Sequence, residues 1–148
     1  MNDEFEGNGK YIRKDGTYYI GQFKNKLRNG KGTEYYTNGN IKYEGDFVDD
    51  KFEGNGKYIW QSGEYYIGQW KNGVRSGKGT NYYPNGDKYE GDWVNNKFEG
   101  NGKYIWKSGE YYLGQHKNGL ANGKGILYYS NGKIKHEGNW LNDKFVKN

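Results

Sequence analysis

Two histidines, two pairs of neighbouring carboxylates and one glycine-rich stretch are the places in this 148-residue chain where catalysis or cofactor binding would have to reside. His116 and His136 are the whole imidazole complement, too few for a closed zinc site, and neither is spaced against a serine and an aspartate as a nucleophilic triad requires. Gly73-Val74-Arg75-Ser76-Gly77-Lys78 has the look of a phosphate loop. It is one residue short, however, and Gly79 stands where a hydroxyl would have to hold magnesium. The Gly-x-Gly pairs lack the third glycine and the helix of a dinucleotide fingerprint. Glu44/Asp46 and Glu90/Asp92 are carboxylate pairs of the kind used in glycoside hydrolysis, but strand alternation points them away from the rings, and a pair that recurs reads as surface patterning. With no cysteine there is no thiolate chemistry. The residues therefore read as a non-enzyme with no cofactor and no metal.

What the chain has in quantity is rings: 17 Tyr, 6 Phe and 5 Trp among 32% hydrophobic residues, with a mean hydropathy of -1.31. Such a polar average would suit a disordered chain if the rings were scattered. They recur instead. Gly-x-Gly begins at Gly7, Gly30, Gly54, Gly77, Gly100 and Gly123, and aromatic-x-Gly begins at Tyr19, Tyr43, Tyr66, Tyr89 and Tyr112 with a sixth copy at His136. A longer period overlies this one, for Lys51–Trp60 and Lys97–Trp106 both read KFEGNGKYIW. A fixed short period is the signature of a repeat architecture.

The elements that must position the rings follow from the punctuation. Asp15-Gly16, Asn38-Gly39, Ser62-Gly63, Asn85-Gly86, Ser108-Gly109 and Asn131-Gly132 are tight-turn dipeptides between aromatic runs. No segment carries helical periodicity with caps. The expectation is an all-β domain spanning residues 1–148, with twelve short strands in six hairpins. Alternation puts Phe23, Phe47, Trp70, Trp93 and Trp140 in one inner column and Tyr19, Tyr43, Tyr66, Tyr89 and Tyr112 in a second, spaced by glycine. Leu27, Phe52, Val74, Phe98 and Leu120 precede the Gly-x-Gly pairs and are expected to plug back onto the columns from longer polar connections.

Tyr89-Glu90-Gly91-Asp92-Trp93 followed by Gly100-Asn101-Gly102-Lys103-Tyr104 resembles the MORN repeat, as do Gly45, Gly54 and Gly56 and Gly68, Gly77 and Gly79 in their own units. The departures are His136 for Tyr, His116 for Trp, one-residue insertions at Asn40-Ile41-Lys42 and Lys133-Ile134-Lys135, and Phe145-Val146-Lys147 in place of Phe-Glu-Gly. The resemblance implies an elongated, twisted, single-layer antiparallel meander with an aromatic groove, working as an adaptor or as a cytoskeletal or membrane-contact scaffold.

Two surfaces then compete for function. The ten column residues would line a groove that takes a protein partner, as a peptide or an amphipathic helix. On the opposite face Ile59, Tyr65 and Ile67, and again Ile105, Tyr111 and Leu113, alternate with the acidic pairs, a pattern suited to self-association as a homo-oligomer. The alternative is anionic, phosphoinositide-containing membrane held by Lys10, Lys31, Lys57, Lys78, Lys103 and Lys124, one per hairpin, which would form a basic row along one edge. Residues 1–74 carry 11 basic and 11 acidic side chains and residues 75–148 carry 12 and 7, so the net charge of +5 resides in the second half. Nucleic acid is disfavoured as a partner, because acidic residues interrupt the basic ones. Asp3, Glu4 and Glu6 at one end and Lys144 and Lys147 at the other suit head-to-tail contact. With no apolar run long enough to span a bilayer and no leader at Met1–Glu4, the expected location is cytoplasmic, with cytoskeletal or membrane association.

Overall fold

A computed structural model describes residues 6–147. The described chain has no helix and runs through thirteen strands: β1 (Gly7–Ile12), β2 (Tyr18–Lys24), β3 (Leu27–Tyr35), β4 (Ile41–Val48), β5 (Lys51–Ile59), β6 (Tyr65–Lys71), β7 (Val74–Tyr82), β8 (Lys88–Val94), β9 (Lys97–Ile105), β10 (Tyr111–Lys117), β11 (Leu120–Tyr128), β12 (Ile134–Leu141) and β13 (Lys144–Lys147). They form one open antiparallel sheet in chain order, a meander of hairpins as expected. The thirteenth strand, beyond the twelve counted from sequence, is the stretch where Phe145-Val146-Lys147 departs from the repeat.

The longer connections expected before each Gly-x-Gly do not exist. They are two-residue turns with both residues left-handed, such as Asn25-Lys26 (φ 51 and 67) and Asn95-Asn96 (φ 46 and 69), because Asn and Asp tolerate that region and its twist matches the flanking strands. Leu27, Phe52, Val74, Phe98 and Leu120 therefore sit on β3, β5, β7, β9 and β11. The Gly-x-Gly pairs lie inside strands too, next to a bulge. Gly21 pairs with Gly32 and Phe23 with Arg28, so Gln22 alone faces residues 29–31. Its side chain closes the gap: Gln22 Oε1 accepts the Lys31 N–H at 2.7 Å, and Gln69 and Gln115 do the same for Lys78 and Lys124. Asp46 and Asp92 are the equivalents in the intervening hairpins, accepting from Asn55 and Asn101 at 3.1 Å.

One glycine column crosses the sheet. From Gly9 on β1 through Gly21, Gly32 and Gly45 to Gly138 on β12, glycine pairs with glycine on each successive strand. The reason is steric. Tyr19 lies against Gly32 and Gly21, so that a Cβ on Gly32 would come 2.1–2.4 Å from Oη, Cε2 and Cζ of the tyrosine, and one on Gly21 would come 2.5 Å from the Gly32 Cα. Tyr43, Tyr66, Tyr89 and Tyr112 repeat the arrangement. Each tyrosine is pinned by its hydroxyl, which donates to the carbonyl three residues on: Tyr66 to Gln69 at 2.8 Å, Tyr89 to Asp92 at 2.9 Å. That bond is why the position takes Tyr and not Phe. Burial pushes the Tyr66 and Tyr112 hydroxyls up to about 12, so they remain donors. The tryptophans have a comparable anchor, Trp70, Trp93 and Trp140 donating Nε1–H to Gly56, Gly79 and Gly125 carbonyls at 3.0 Å.

Candidate functional site

The two ring columns interlock into one edge-to-face series along the inner face. Tyr66 meets Trp70 and Trp93 at centroid distances of 5.1 and 5.2 Å, Tyr89 meets Trp93 and His116 at 5.3 and 5.1 Å, and Tyr112 meets His116 and Trp140 at 5.1 Å each. His116 thus occupies a tryptophan position. The ten residues expected to line the groove, Tyr19, Phe23, Tyr43, Phe47, Tyr66, Trp70, Tyr89, Trp93, Tyr112 and Trp140, are all buried, the first four tyrosines completely. They are the groove's floor and present almost no surface to a partner.

A second layer of side chains from the same sheet covers that floor. Phe52 stacks on Tyr43 and Phe98 on Tyr89, both at 3.9 Å, as the plug reading expected of them. Leu27, Val74 and Leu120 do not plug: they pair with Lys24, Lys71 and Lys117, one residue off the inner face. The caps beside them are arginines, which sequence reasoning did not single out as packing groups. Arg28 lies over Phe47 at 4.9 Å and Arg75 over Trp93 at 4.5 Å. Arg28 is held by Glu34 (Nη1, 2.9 Å), Asp50 Oδ1 (Nε, 3.1 Å) and the Asp50 carbonyl (Nη2, 2.7 Å), and Arg13 also pairs with Glu34. Arg75 repeats the grip with Asn81, Asn96 Oδ1 and the Asn96 carbonyl at 2.9, 3.3 and 3.2 Å. Burial lowers the Arg75 pKa, the mark of a guanidinium partly out of water.

Outside this layer a row of half-buried rings faces the open side: Tyr58 and Trp60, 4.7 Å apart, Tyr83 and Tyr104, 6.0 Å apart, and Trp106, 4.9 Å from Tyr104 and 38% exposed. At the C-terminal end the row opens into a cavity of about 410 Å³ between Trp106, Tyr112, His116, Ala121, Trp140 and Asp143. Of these, Tyr112, Trp140 and His116 were singled out from sequence, whereas the rim rings Tyr58, Trp60, Tyr83, Tyr104 and Trp106 were not called as site residues. Their signal was the second ring in Tyr-Ile-Trp at residues 58–60 and 104–106.

The opposite face is striped as expected, with Ile20, Ile67 and Leu113 44–47% exposed. Beside them Tyr18 stacks on Tyr35, Tyr65 on Tyr82 and Tyr111 on Tyr128 at 4.4–4.6 Å. The six lysines do not form one row along an edge. Lys10, Lys57 and Lys103 lie on one side of the glycine column, each over a tyrosine ring, and Lys31, Lys78 and Lys124 lie on the other. Lys31 and Lys78 are paired with Asp46 and Asp92, and those bonds hold both carboxylates below their ordinary pKa. Glu6 accepts the Asn25 N–H at 3.0 Å; Asp3 and Glu4, invoked for head-to-tail contact, lie outside the described residues. Among the described residues no helix is long and apolar enough to cross a membrane.

Among solved structures, the chain is similar to the SAS-4 (dCPAP) TCP domain of Drosophila melanogaster, in complex with a proline-rich motif of Ana2 (dSTIL). Identity is 15% over 86% of this chain and 87% of that one, with a TM-score of 0.30. It also matches an inactive H270A virginiamycin B lyase from Staphylococcus aureus with quinupristin, at 16% identity over 91% of this chain and 42% of that one, TM-score 0.20. Both scores are too low to carry an argument. No curated protein matches the chain. The MORN repeat model matches six times, at residues 1–18, 19–41, 43–65, 66–88, 89–111 and 112–134, and from the second match on each begins at a tyrosine that covers the glycine column. By those six matches across nearly its whole length, the chain belongs to the MORN repeat family.

Proposed function

We propose that this protein is a non-catalytic scaffold that docks a protein segment, extended or helical, along the open inner face. MORN repeats generally mediate protein or membrane interactions. The observation that favours a protein segment here is the half-buried row from Tyr58 and Trp60 to Tyr104 and Trp106, which no element of the sheet covers. Half-exposed rings on an open face of this kind mark interaction sites, and a sheet of this many strands, at roughly 4.8 Å each, offers a track about 60 Å long. The ten buried column residues support this track from beneath. The membrane alternative has less behind it, since Lys31 and Lys78 are already neutralised by Asp46 and Asp92.

The test uses the rim and spares the floor. The wild type, a Trp60→Ala/Trp106→Ala variant and an Ile67→Lys/Leu113→Lys variant of the opposite face are immobilised, and the proteins each retains from cell extract are compared by quantitative mass spectrometry. A specific partner should be retained by the first and third and fall at least about tenfold on the second, the weight of one or two aromatic anchors. Retention that tracks the opposite-face variant, or that collapses with added salt on all three, would move the interaction off the groove.

A further inference from the structure

Along the inner face, caps succeed one another strand pair by strand pair: Arg28, Phe52, Arg75, Phe98, and then Ala121, where the cap stops short. The frame around Ala121 is that of the two arginines. The Arg28 and Arg75 N–H groups donate to Asp50 Oδ1 and Asn96 Oδ1 at 2.8 Å, and the Ala121 N–H donates to Asp143 Oδ1 at 2.7 Å. In return Asp50, Asn96 and Asp143 each donate N–H to the carbonyl of the residue they cap, at 3.0, 3.1 and 3.0 Å. The rings that receive Arg75 are Trp93, Tyr66 and Trp60. Their counterparts at the C-terminal corner are Trp140, Tyr112 and Trp106, and all three line the 410 Å³ cavity together with Asp143. The two acceptors that hold Nε and Nη2 in the other copies, the side-chain oxygen and the carbonyl of residue 50 or 96, thus recur in Asp143, a carboxylate side chain like Asp50. Among the described residues no cation pairs with Asp143. His116, 6% exposed and lining the same cavity, has an Nδ1 with no hydrogen-bond partner.

We propose that the cavity at Ala121 binds the guanidinium of an arginine from a partner segment, stacked between Trp106 and Trp140 and paired with Asp143, as Arg75 is bound within the chain. The chain itself supplies the template twice and omits the side chain once. Guanidinium suits such a site better than ammonium, because its flat face stacks on indole while its edge reaches two acceptors in one plane. The inference rests on the groove reading and gives it chemistry: the segment that docks carries an arginine opposite the last full hairpin.

The experiment titrates the full chain, isotope-labelled, with the tripeptide acetyl-Gly-Arg-Gly-amide and follows the five indole N–H signals by NMR. Trp106 and Trp140 should shift saturably, while Trp60, Trp70 and Trp93 stay in place. The citrulline tripeptide, equal in shape and uncharged, should bind at least about fivefold more weakly, and so should arginine to an Asp143→Asn variant, which keeps the Ala121 bond as Asn96 does for Arg75. Ala121→Arg should abolish the shifts by filling the site. No saturable shift, equal binding of citrulline, undiminished binding to Ala121→Arg, or tighter binding of a trimethyl-lysine tripeptide would each overturn the assignment. The probe is too short to span the track, so such a failure leaves the groove reading to its own test.

Discussion

The corner around Arg75 and the corner around Ala121 share a backbone frame, a glycine pair, a pinned tyrosine and an anchored tryptophan, yet one is filled and the other open. Four side chains make the difference. Arg75, Asn81, Asn96 and Trp70 are answered by Ala121, Leu127, Asp143 and His116. The comparison separates two jobs that the sequence merges. The glycine column and its tyrosines hold the sheet together, and the cap above them can be removed without changing a backbone hydrogen bond. A repeat that needs its floor and can spare one cap is free to convert that cap position into a binding site.

If the floor is the shared necessity, damage to it must be severe at both corners. Gly79→Ala would bring a methyl to 2.1–2.5 Å from Oη, Cζ and Cε2 of Tyr66, and Gly125→Ala to 2.2–2.4 Å from the same atoms of Tyr112. Each ring is tied by its hydroxyl and wedged edge-to-face between two neighbours, Tyr66 between Trp70 and Trp93 and Tyr112 between His116 and Trp140. Each substitution should cost about 3 kcal/mol or more, as overpacking against a fixed neighbour does. Coupling in repeat arrays runs between neighbours, so Gly125→Ala should release mainly β11–β13, whereas Gly79→Ala should uncouple the sheet in its middle. Hydrogen exchange resolves the two patterns. A Gly125→Ala chain as protected as the wild type would mean that the C-terminal corner has slack the central one lacks, and the comparison would fail.

The caps rank next. Arg75→Ala removes a stacked stem and three hydrogen bonds and leaves Asn81 and Asn96 facing a hole, a loss of roughly 2–3 kcal/mol. Ala121→Arg should do the reverse on a smaller scale, because Leu127 offers no acceptor where Asn81 does, and a gain of about 1 kcal/mol or less is expected. Urea midpoints at constant slope measure both. A cost at Arg75 near zero would show the cap to be a surface ornament, and the open corner would then lose its meaning as a vacancy.

How much of this could be read from the chain depends on whether a role repeats. Glycine, Tyr and Trp perform the same task in nearly every unit, so their period revealed the meander, the columns and the face they share. The caps alternate, Arg in one hairpin and Phe in the next, and an arginine gives no composition signal that distinguishes a stacked stem from a solvated one. The plug reading of Leu27, Val74 and Leu120 requires a polar connection before them; with two-residue turns the strand continues and alternation sends Arg28, Arg75 and Ala121 inward instead. The lysines were legible in hindsight. In one hairpin type Lys follows the Gly-x-Gly and in the other it lies within it, which puts the two sets on opposite sides of the glycine column. The groove rim was hidden for another reason: burial of the named columns depends on a second layer that only the register reveals.

The smallest expected difference between the corners is in their response to acid. His116 stands where Trp70 stands, wedged between Tyr89 and Tyr112, and burial pulls its pKa below the ordinary imidazole value. The unfolded chain, with its imidazole near about 6.5, then binds more protons than the folded one in mildly acid solution. The C-terminal hairpins should accordingly be at full stability above that value and weaken as pH falls through the lowered one. Trp70 has nothing to titrate, so the central corner contributes no such step. Asp46 and Asp92, whose pKa values are also lowered, add an acid-sensitive background common to every variant. The measurement is therefore a difference: thermal midpoints of the wild type and of His116→Trp from about pH 7 to about pH 5. The wild type should lose more on acidification, and the gap should close when tryptophan restores the repeat's own residue. Parallel curves would mean that the imidazole takes up its proton in the folded sheet as readily as in water, and that the open corner is wetter than its 6% exposure of His116 implies.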